Sequence, residues 1–215
     1  MNEKDFLNSV HGIDVSHYQG KINWKAVKQN AKIFVYIKAT GGINEVDPMF
    51  EENWAGSKAG GVIRGAYHFF YPNEDPEAQA ANFTRTVLDL STGDLPPVLD
   101  LEVTGNAEPE VISHNALTML QIIEDKYRIT PVVYTNPTFG NQYLNDRFAR
   151  FPLWIANYDV NQPVIPGVWQ NSGGYTFWQY SESGKVNGVF GNVDLDIFNG
   201  TFDDLQKFLS VSKVH

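Results

Sequence analysis

Short apolar segments alternate with helical patterns along most of this chain, and the alternation limits the folds open to it. Helical patterns separate the earlier segments, but little helix is expected between the strands that follow Pro152. Parallel strands joined by right-handed helical crossovers can close into a barrel. The pattern therefore predicts an α/β fold, a (β/α) barrel of the TIM-barrel type with about eight strands. They are expected near 12–16, 33–39, 62–70, 95–103, 131–135, 152–158, 176–181 and 192–198.

The chain length bears on how complete that barrel is. A full (β/α) barrel usually takes about 250 residues, whereas this chain has 215. We therefore expect an incomplete or flattened version. Its core should cover about 12–198, after a short N-terminal lead, and a closing helix is predicted over 201–211. No linker, low-complexity segment or repeat interrupts the sequence, which predicts a single domain over 1–215.

The composition argues against several kinds of function. The net charge is −9 and no run of Lys or Arg stands out, so no nucleic acid partner is expected, because phosphate binding needs clustered positive charge. There is no cysteine, hence no thiol nucleophile or disulfide framework. No apolar run approaches the roughly 20 residues that span a bilayer, so no membrane insertion is expected. Residues 1–8 lack the apolar core of a secretory signal, so no signal peptide is predicted.

Two carboxylates interrupt the strand predicted over 95–103. Asp100 and Glu102 are spaced i and i+2, which on a strand places both side chains on one face. Two adjacent acids repel, so at least one should be harder to ionise than a free carboxylate. An acid-catalysed reaction can use such a pair directly. The structural alternative is that the acids cap backbone groups or meet an arginine at a strand end.

Further acids lie on the first and last predicted strands. Asp14 is on the first, and Asp194 and Asp196 are on the last. The chemistry of (β/α) barrels sits at the C-terminal ends of the strands, so a closed barrel would gather four or five carboxylates in one pit. Such a pit suits cleavage of a glycosidic bond. That reaction needs one protonated acid for the leaving group and negative charge beside an oxocarbenium-like centre.

Rival chemistries have little support in the sequence. The five histidines show no His-x-x-x-His pairing, nothing matches a calcium loop, and no Gly-x-Ser-x-Gly elbow is present. Turns and helix ends explain the glycine pairs Gly41-Gly42 and Gly60-Gly61 better than phosphate binding does. We therefore expect neither a metal nor a cofactor.

Seven segments, in order, resemble glycoside hydrolase family 25, the lysozymes (N-acetylmuramidases). The resemblance runs from about Gly12 to Phe198 and so covers nearly the whole chain. Any one segment is weak, but seven in the right order are strong. They are Gly-Ile-Asp-Val-Ser-His-Tyr-Gln-Gly at 12–20, with Ile-Asn-Trp at 22–24, then 34–42, 65–69, Pro-Val-Leu-Asp-Leu-Glu at 97–102, 154–158, 177–180 and 193–198.

The resemblance implies a role for each acid. Glu102 would be the general acid that protonates the leaving oxygen and then the base that activates water. Asp100 would be the deeper, ionised partner, which either orients the substrate N-acetyl group as an internal nucleophile or acts electrostatically. Asp14 and Asp194 would complete the pit and tune Glu102. Aromatic side chains would line the sugar subsites: Tyr67, Tyr134, Trp154, Tyr158 and Trp178.

The implied activity is lysis of bacterial cell walls. The enzyme would cleave the β-1,4 bond between N-acetylmuramic acid and N-acetylglucosamine in peptidoglycan, with retention by substrate assistance. Peptidoglycan glycan strands would be its partner, it would be a monomer, and no separate wall-binding domain is expected. It would act at the wall, extracellular or periplasmic, delivered by phage lysis or a secretion system unless a signal peptide has been lost. A chitinase-like or endo-N-acetylglucosaminidase enzyme and a non-catalytic wall-sugar binder remain as alternatives.

Overall fold

The computed structural model describes residues 9–211, so the predicted N-terminal lead lies largely outside the described residues. The strands are β1 (Val10–Val15), β2 (Phe34–Gly41), β3 (Glu45–Val46), β4 (Ile63–Phe69), β5 (Val98–Asp100), β6 (Val132–Thr135), β7 (Leu153–Ala156), β8 (Phe177–Gly184) and β9 (Val193–Phe198). The helices are α1 (Trp24–Gln29), α2 (Phe50–Ala59), α3 (Pro76–Thr86), α4 (Pro109–Tyr127), α5 (Pro137–Tyr143) and α6 (Phe202–Val211). No helix within 9–211 is long and apolar enough to cross a membrane.

Eight of these strands close into a barrel. β1 pairs in parallel with β2, β2 with β4, and each later strand with the next as far as β8. β9 runs antiparallel to both β8 and β1 and completes the ring. The predicted α/β barrel with eight strands is thus confirmed, with β9 as the departure from an all-parallel arrangement. Residues 185–192, which join β8 to β9, form no helix that could make a parallel crossover.

The strand that ends in Asp100 is shorter than the sequence predicted. The prediction was a strand over 95–103, but β5 covers only Val98–Asp100. Pro96 and Pro97 precede it and have no N–H to donate to a neighbouring strand, so the pairing begins after them. Glu102 therefore lies in the loop beyond the strand, and the strict alternation of strand side chains does not fix its direction.

Two apolar layers surround the sheet. The barrel interior is filled by aromatic side chains, among which Tyr36 stacks on Trp154 with ring centroids 4.7 Å apart. The outer layer lies between strands and helices, where α4 buries one face at helical spacing. Because the interior is packed, the chemistry is confined to the rim of the barrel. The buried residues of α4 include Ile112, Ala116, Met119, Leu120 and Ile123.

A buried histidine ties two strands to a helix below that rim. His68 of β4 is 0% exposed. Thr40 Oγ1 lies 2.7 Å from its Nδ1, and its Nε2 lies 3.1 Å from Gln79 Oε1 on α3. A carboxamide oxygen only accepts, so Nε2 carries the proton and Nδ1 accepts from Thr40. Burial lowers the pKa of His68 to about 4, which keeps the ring neutral at pH 7.

Acidification should therefore weaken the wild-type fold more than that of a His68→Gln variant. The pKa of His68 in the folded chain, about 4, lies below the ordinary value of 6.5, so the unfolded chain takes up the proton first. The stabilising contribution is complete above pH 6.5 and is lost as the pH falls towards 4. That gap corresponds to about 3 kcal/mol of unfolding free energy. Urea unfolding of both proteins at pH 7, 5.5 and 4 would measure it, and parallel pH profiles would contradict the prediction.

Candidate active site

A cleft of about 290 Å³ opens at the C-terminal ends of the parallel strands. The four acids predicted for the site, Asp14, Asp100, Glu102 and Asp194, all line it. Asp14 lies near the end of β1, directly opposite Asp194, which lies near the start of antiparallel β9. Asp100 ends β5, and Glu102 follows it by two residues. Closure of the barrel thus brings together acids from distant parts of the sequence.

Gln179 connects Asp14 to two tyrosines, although it was not predicted as a site residue. Its Nε2 donates to Asp14 Oδ2 at 2.6 Å. Its Oε1 accepts from the hydroxyl of Tyr134 at 2.8 Å and from that of Tyr158 at 2.5 Å. Gln179 is 3% exposed on β8. A buried amide among apolar strand neighbours was the sequence signal that could have identified it.

A Gln179→Met variant should fold but lose about 10- to 100-fold in kcat. The change leaves Asp14 and both tyrosines without their shared partner, and each unpaired buried group costs about 1–3 kcal/mol. The hydrogen bond from Gln179 lowers the pKa of Asp14. Without it that pKa rises, so the acid limb of the kcat profile should move to higher pH. Gln121→Met, on the exposed face of α4, is the matched control. An unmoved acid limb would argue against this role for Gln179.

Burial raises the pKa of each of the four acids predicted for the site. It is the largest cause for Asp14 and Asp100, whose pKa values lie well above the usual range for aspartate. The pKa of Asp194 is raised to about 6. Burial, then the charge of Asp194, raises the pKa of Glu102. The cleft therefore retains protons closer to neutral pH than free carboxylates do, as general acid catalysis requires.

The two acids of the central segment differ in depth. Asp100 is 7% exposed, whereas Glu102 is an exposed residue. Asp100 Oδ1 is buried and has no hydrogen-bond partner among the described residues. The expectation that Asp100 is ionised does not fit this environment, because burial raises its pKa and favours the protonated form in the free protein. The ammonium group of Lys38 lowers the pKa of both acids and is held by Glu45 Oε1 at 2.9 Å.

Asp196 lies beneath the cleft rather than on its surface. It is 0% exposed and is not among the residues that line the cavity. Its Oδ1 accepts from Trp154 Nε1 at 2.9 Å. Its charge is the second cause, after burial, of the raised pKa of Asp14. The sequence predicted four or five acids in the pit without deciding between the two numbers. The structure places four of the five on the cleft surface.

Four of the five predicted aromatic residues line the cleft, and Trp178 does not. Tyr67, Tyr134, Trp154 and Tyr158 are on its wall, although Trp154 is only 2% exposed. Trp178 is 3% exposed and packs in the outer layer, where its Nε1 donates to the carbonyl oxygen of Asn157 at 2.8 Å. Consecutive strand residues point to opposite faces, so Gln179 reaches the cleft and Trp178 faces the helices. The structure therefore places Trp178 outside the cleft.

The structure also adds residues to the cleft. Tyr18 is 82% exposed at its edge, with its ring centroid 4.1 Å from that of His17. His17 is fixed in turn by Asp47 Oδ2, which lies 2.8 Å from its Nδ1. Lys38 and Glu182 line the cleft as well. His17 and Tyr18 lie in a short helical turn after β1, whereas Lys38 lies within β2 and Glu182 within β8.

Comparison with known proteins places the chain in a family. The family model for "Glycosyl hydrolases family 25" matches residues 13–189. The chain is 37% identical over 206 residues to the uncharacterized protein YegX of Escherichia coli (strain K12), covering 94% of this chain and 74% of that protein. It is also 37% identical over 206 residues to Lysozyme M1 of Streptomyces globisporus, covering 90% and 69%.

The fold leads to the same family. The crystal structure of the bacterial lysozyme from Streptomyces coelicolor matches with a TM-score of 0.90 and 34% identity, covering 95% of this chain and 98% of that one. A family 25 glycosyl hydrolase from Bacillus anthracis matches with a TM-score of 0.85 and 28% identity, covering 96% and 95%. On both sequence and structure, this chain belongs to glycosyl hydrolase family 25.

Proposed function

We propose that the chain is a lysozyme, an N-acetylmuramidase that cleaves the β-1,4 bond between N-acetylmuramic acid and N-acetylglucosamine in peptidoglycan. The observation that carries the proposal is the convergence of Asp14, Asp100, Glu102 and Asp194 on one cleft with an aromatic wall. The relatives named as lysozymes support the choice of substrate. Peptidoglycan lies outside the cytoplasmic membrane, so the enzyme acts in an extracellular or periplasmic space. It acts there as a monomer, which light scattering would test.

Glu102 is the proton donor in this proposal. Its exposed position lets a glycosidic oxygen approach, and burial and the charge of Asp194 raise its pKa, so it holds its proton to a higher pH than a free glutamate does. The proton passes to the glycosidic oxygen as the bond from that oxygen to the anomeric carbon breaks. Water then attacks the anomeric carbon and breaks the bond that the substrate acetamido oxygen has formed to it, while the Glu102 carboxylate takes a proton from that water and becomes an acid again.

Asp100 supports the substrate N-acetyl group. Its buried Oδ1 has no partner in the described part of the chain, and the N–H of an acetamido group is the donor that would satisfy it. Attack by the acetamido oxygen on the anomeric carbon places positive charge on that group. The charge favours ionised Asp100, which then stabilises it electrostatically. Asp14, held by Gln179, and Asp194 add negative potential around the same centre.

Two product analyses test the proposal. Mass spectrometry of digested peptidoglycan should find N-acetylmuramic acid at the reducing ends. Reducing-end N-acetylglucosamine would identify a glucosaminidase, products from chitin alone a chitinase-like enzyme, and binding without products a non-catalytic wall-sugar binder. Proton NMR during the first turnovers should show the β-anomer of the new reducing end. The α-anomer as first product would exclude retention by substrate assistance.

Salt should affect the activity little. The net charge of −9 provides no attraction to an anionic wall, so there is no long-range attraction for ions to screen. Raising NaCl from about 20 to about 200 mM should change the clearing rate of wall suspensions by less than about twofold. A basic lysozyme on the same suspension provides the comparison. A steep loss of activity over this range would contradict the prediction.

A further inference from the structure

A second cavity, of about 480 Å³, adjoins the acidic cleft. The two cavities share Glu102, Tyr134, Tyr158 and Glu182, so the proposed proton donor stands at their boundary. Asp14, Asp100 and Asp194 line only the acidic cleft. Apart from the shared Glu102 and Glu182, no charged residue among those that the structure describes lines the second cavity, which is called here the neutral half-cleft. It is formed on its far side by the segments that follow β6 and β7.

Two asparagines of the neutral half-cleft hold their carboxamide groups in fixed orientations. Asn136 follows β6, and its Oδ1 accepts from the N–H of Phe139 at 2.9 Å as the N-cap of α5. Asn157 follows β7, and its Oδ1 accepts from the N–H of Val164 at 2.9 Å. In both residues the oxygen is occupied, and the Nδ2 donates to no described protein group. Each therefore leaves an amide nitrogen, with two N–H donors, unused in the wall of a cavity.

Fixed amide donors select a ligand that brings acceptor oxygens. The residues that line the neutral half-cleft include no lysine, arginine or histidine, so the site does not suit a free carboxylate or phosphate. Tyr158, half-buried, presents an aromatic ring to the same space. A neutral sugar with an acetamido carbonyl and hydroxyl groups matches both features.

The position of Glu102 decides which sugar this is. A proton donor must lie between the sugar that develops positive charge and the sugar that leaves. The carboxylates of the acidic cleft suit the former, which leaves the neutral half-cleft for the latter. Resting on the proposed muramidase function, we propose that the neutral half-cleft binds the leaving N-acetylglucosamine and that Asn136 and Asn157 select it through its acetamido carbonyl oxygen.

The test uses one peptidoglycan preparation whose glucosamine residues have been de-N-acetylated. It compares this form with a portion of the same preparation that has been re-acetylated with acetic anhydride. Wild-type enzyme should prefer the re-acetylated form in kcat/KM. Asn136→Ser and Asn157→Ser each keep a side-chain oxygen for the backbone N–H but lack the long amide donor. The double variant should reduce the acetyl preference about tenfold, equivalent to about 1.4 kcal/mol. Asn145→Ser is the matched control, since Asn145 accepts from Arg147 N–H in the same way and lies outside both cavities.

The outcomes separate the two proposals. If wild-type enzyme cleaves neither form, the muramidase function itself fails. If it cleaves both without preference, or if the double variant keeps the full preference, the role of the two asparagines is overturned. Thermal melting close to that of Asn145→Ser shows that the double variant is folded, and Asn157→Ser alone, which leaves the cap of α5 intact, repeats the test if it is not.

Discussion

A Glu102→Gln variant is expected to lower kcat on peptidoglycan about 10³-fold and to leave the fold intact. Glutamine keeps the size of the side chain but has no proton to transfer, and a positioned acid–base group is typically worth 10²–10⁴-fold. Glu102 is exposed and makes no hydrogen bond or ion pair that holds the described fold together, so the substitution removes chemistry rather than packing. Loss of turbidity of wall suspensions measures the rate, and near-ultraviolet circular dichroism checks the fold.

Glu182→Gln is the matched control for that experiment. Glu182 is also exposed and also stands at the boundary of the two cavities. Its substitution likewise replaces a carboxyl group of the cleft by an amide of the same size, but it removes no proposed proton donor. We expect it to keep activity within about tenfold, because it acts on the other acids only through electrostatics. If Glu102→Gln remained active, or if both variants failed equally, the proton would have to come from elsewhere.

The strands could be predicted because strand formation depends mainly on the residues of the segment itself. Buried parallel strands need runs of β-branched and aromatic residues, and each barrel strand carries one. The convergence of Asp14 and Asp194 also followed, since closure of an eight-stranded barrel joins its first and last strands. The antiparallel direction of β9 could not be predicted from the sequence. It depends on the length of the connection between β8 and β9 and on the space that remains between β8 and β1.

The side-chain contacts within the site could not be predicted from single segments, because they depend on how the strands are paired. The family resemblance implied a sugar contact at Trp178, but which face of a strand meets the cleft is fixed by the register of its neighbours. The same register brings Gln179 to Asp14 across 165 sequence positions. The rise that burial causes in the pKa of Asp100 could not be predicted for a similar reason. Repulsion between neighbours can be read from the spacing of the acids, whereas the burial of Asp100 is a property of the assembled barrel.

The burial of Asp100 gives the second large effect, in which activity and stability change in opposite directions. An Asp100→Asn variant should lose about 10²–10³-fold in kcat, the usual cost of removing one group that stabilises charge in the transition state. The same variant should melt at a higher temperature than wild type at pH 7. A carboxylate whose Oδ1 is buried without a partner opposes folding when it is ionised, and an amide of the same shape does not carry that charge.

The pH dependence separates this explanation from a general gain in packing. The pKa of Asp100 is raised in the fold, so this group contributes stability below the ordinary value of 3.8 and loses it as the pH rises through the folded-state pKa. The gain from Asp100→Asn should therefore be large at pH 7 and vanish near pH 3, with each kcal/mol worth about 2–4 °C in a domain of this size. Asp125→Asn, on the exposed face of α4, should show no such gain at either pH. A melting temperature for Asp100→Asn equal to that of wild type at pH 7 would mean that the buried carboxyl carries no charge penalty, which would contradict the prediction.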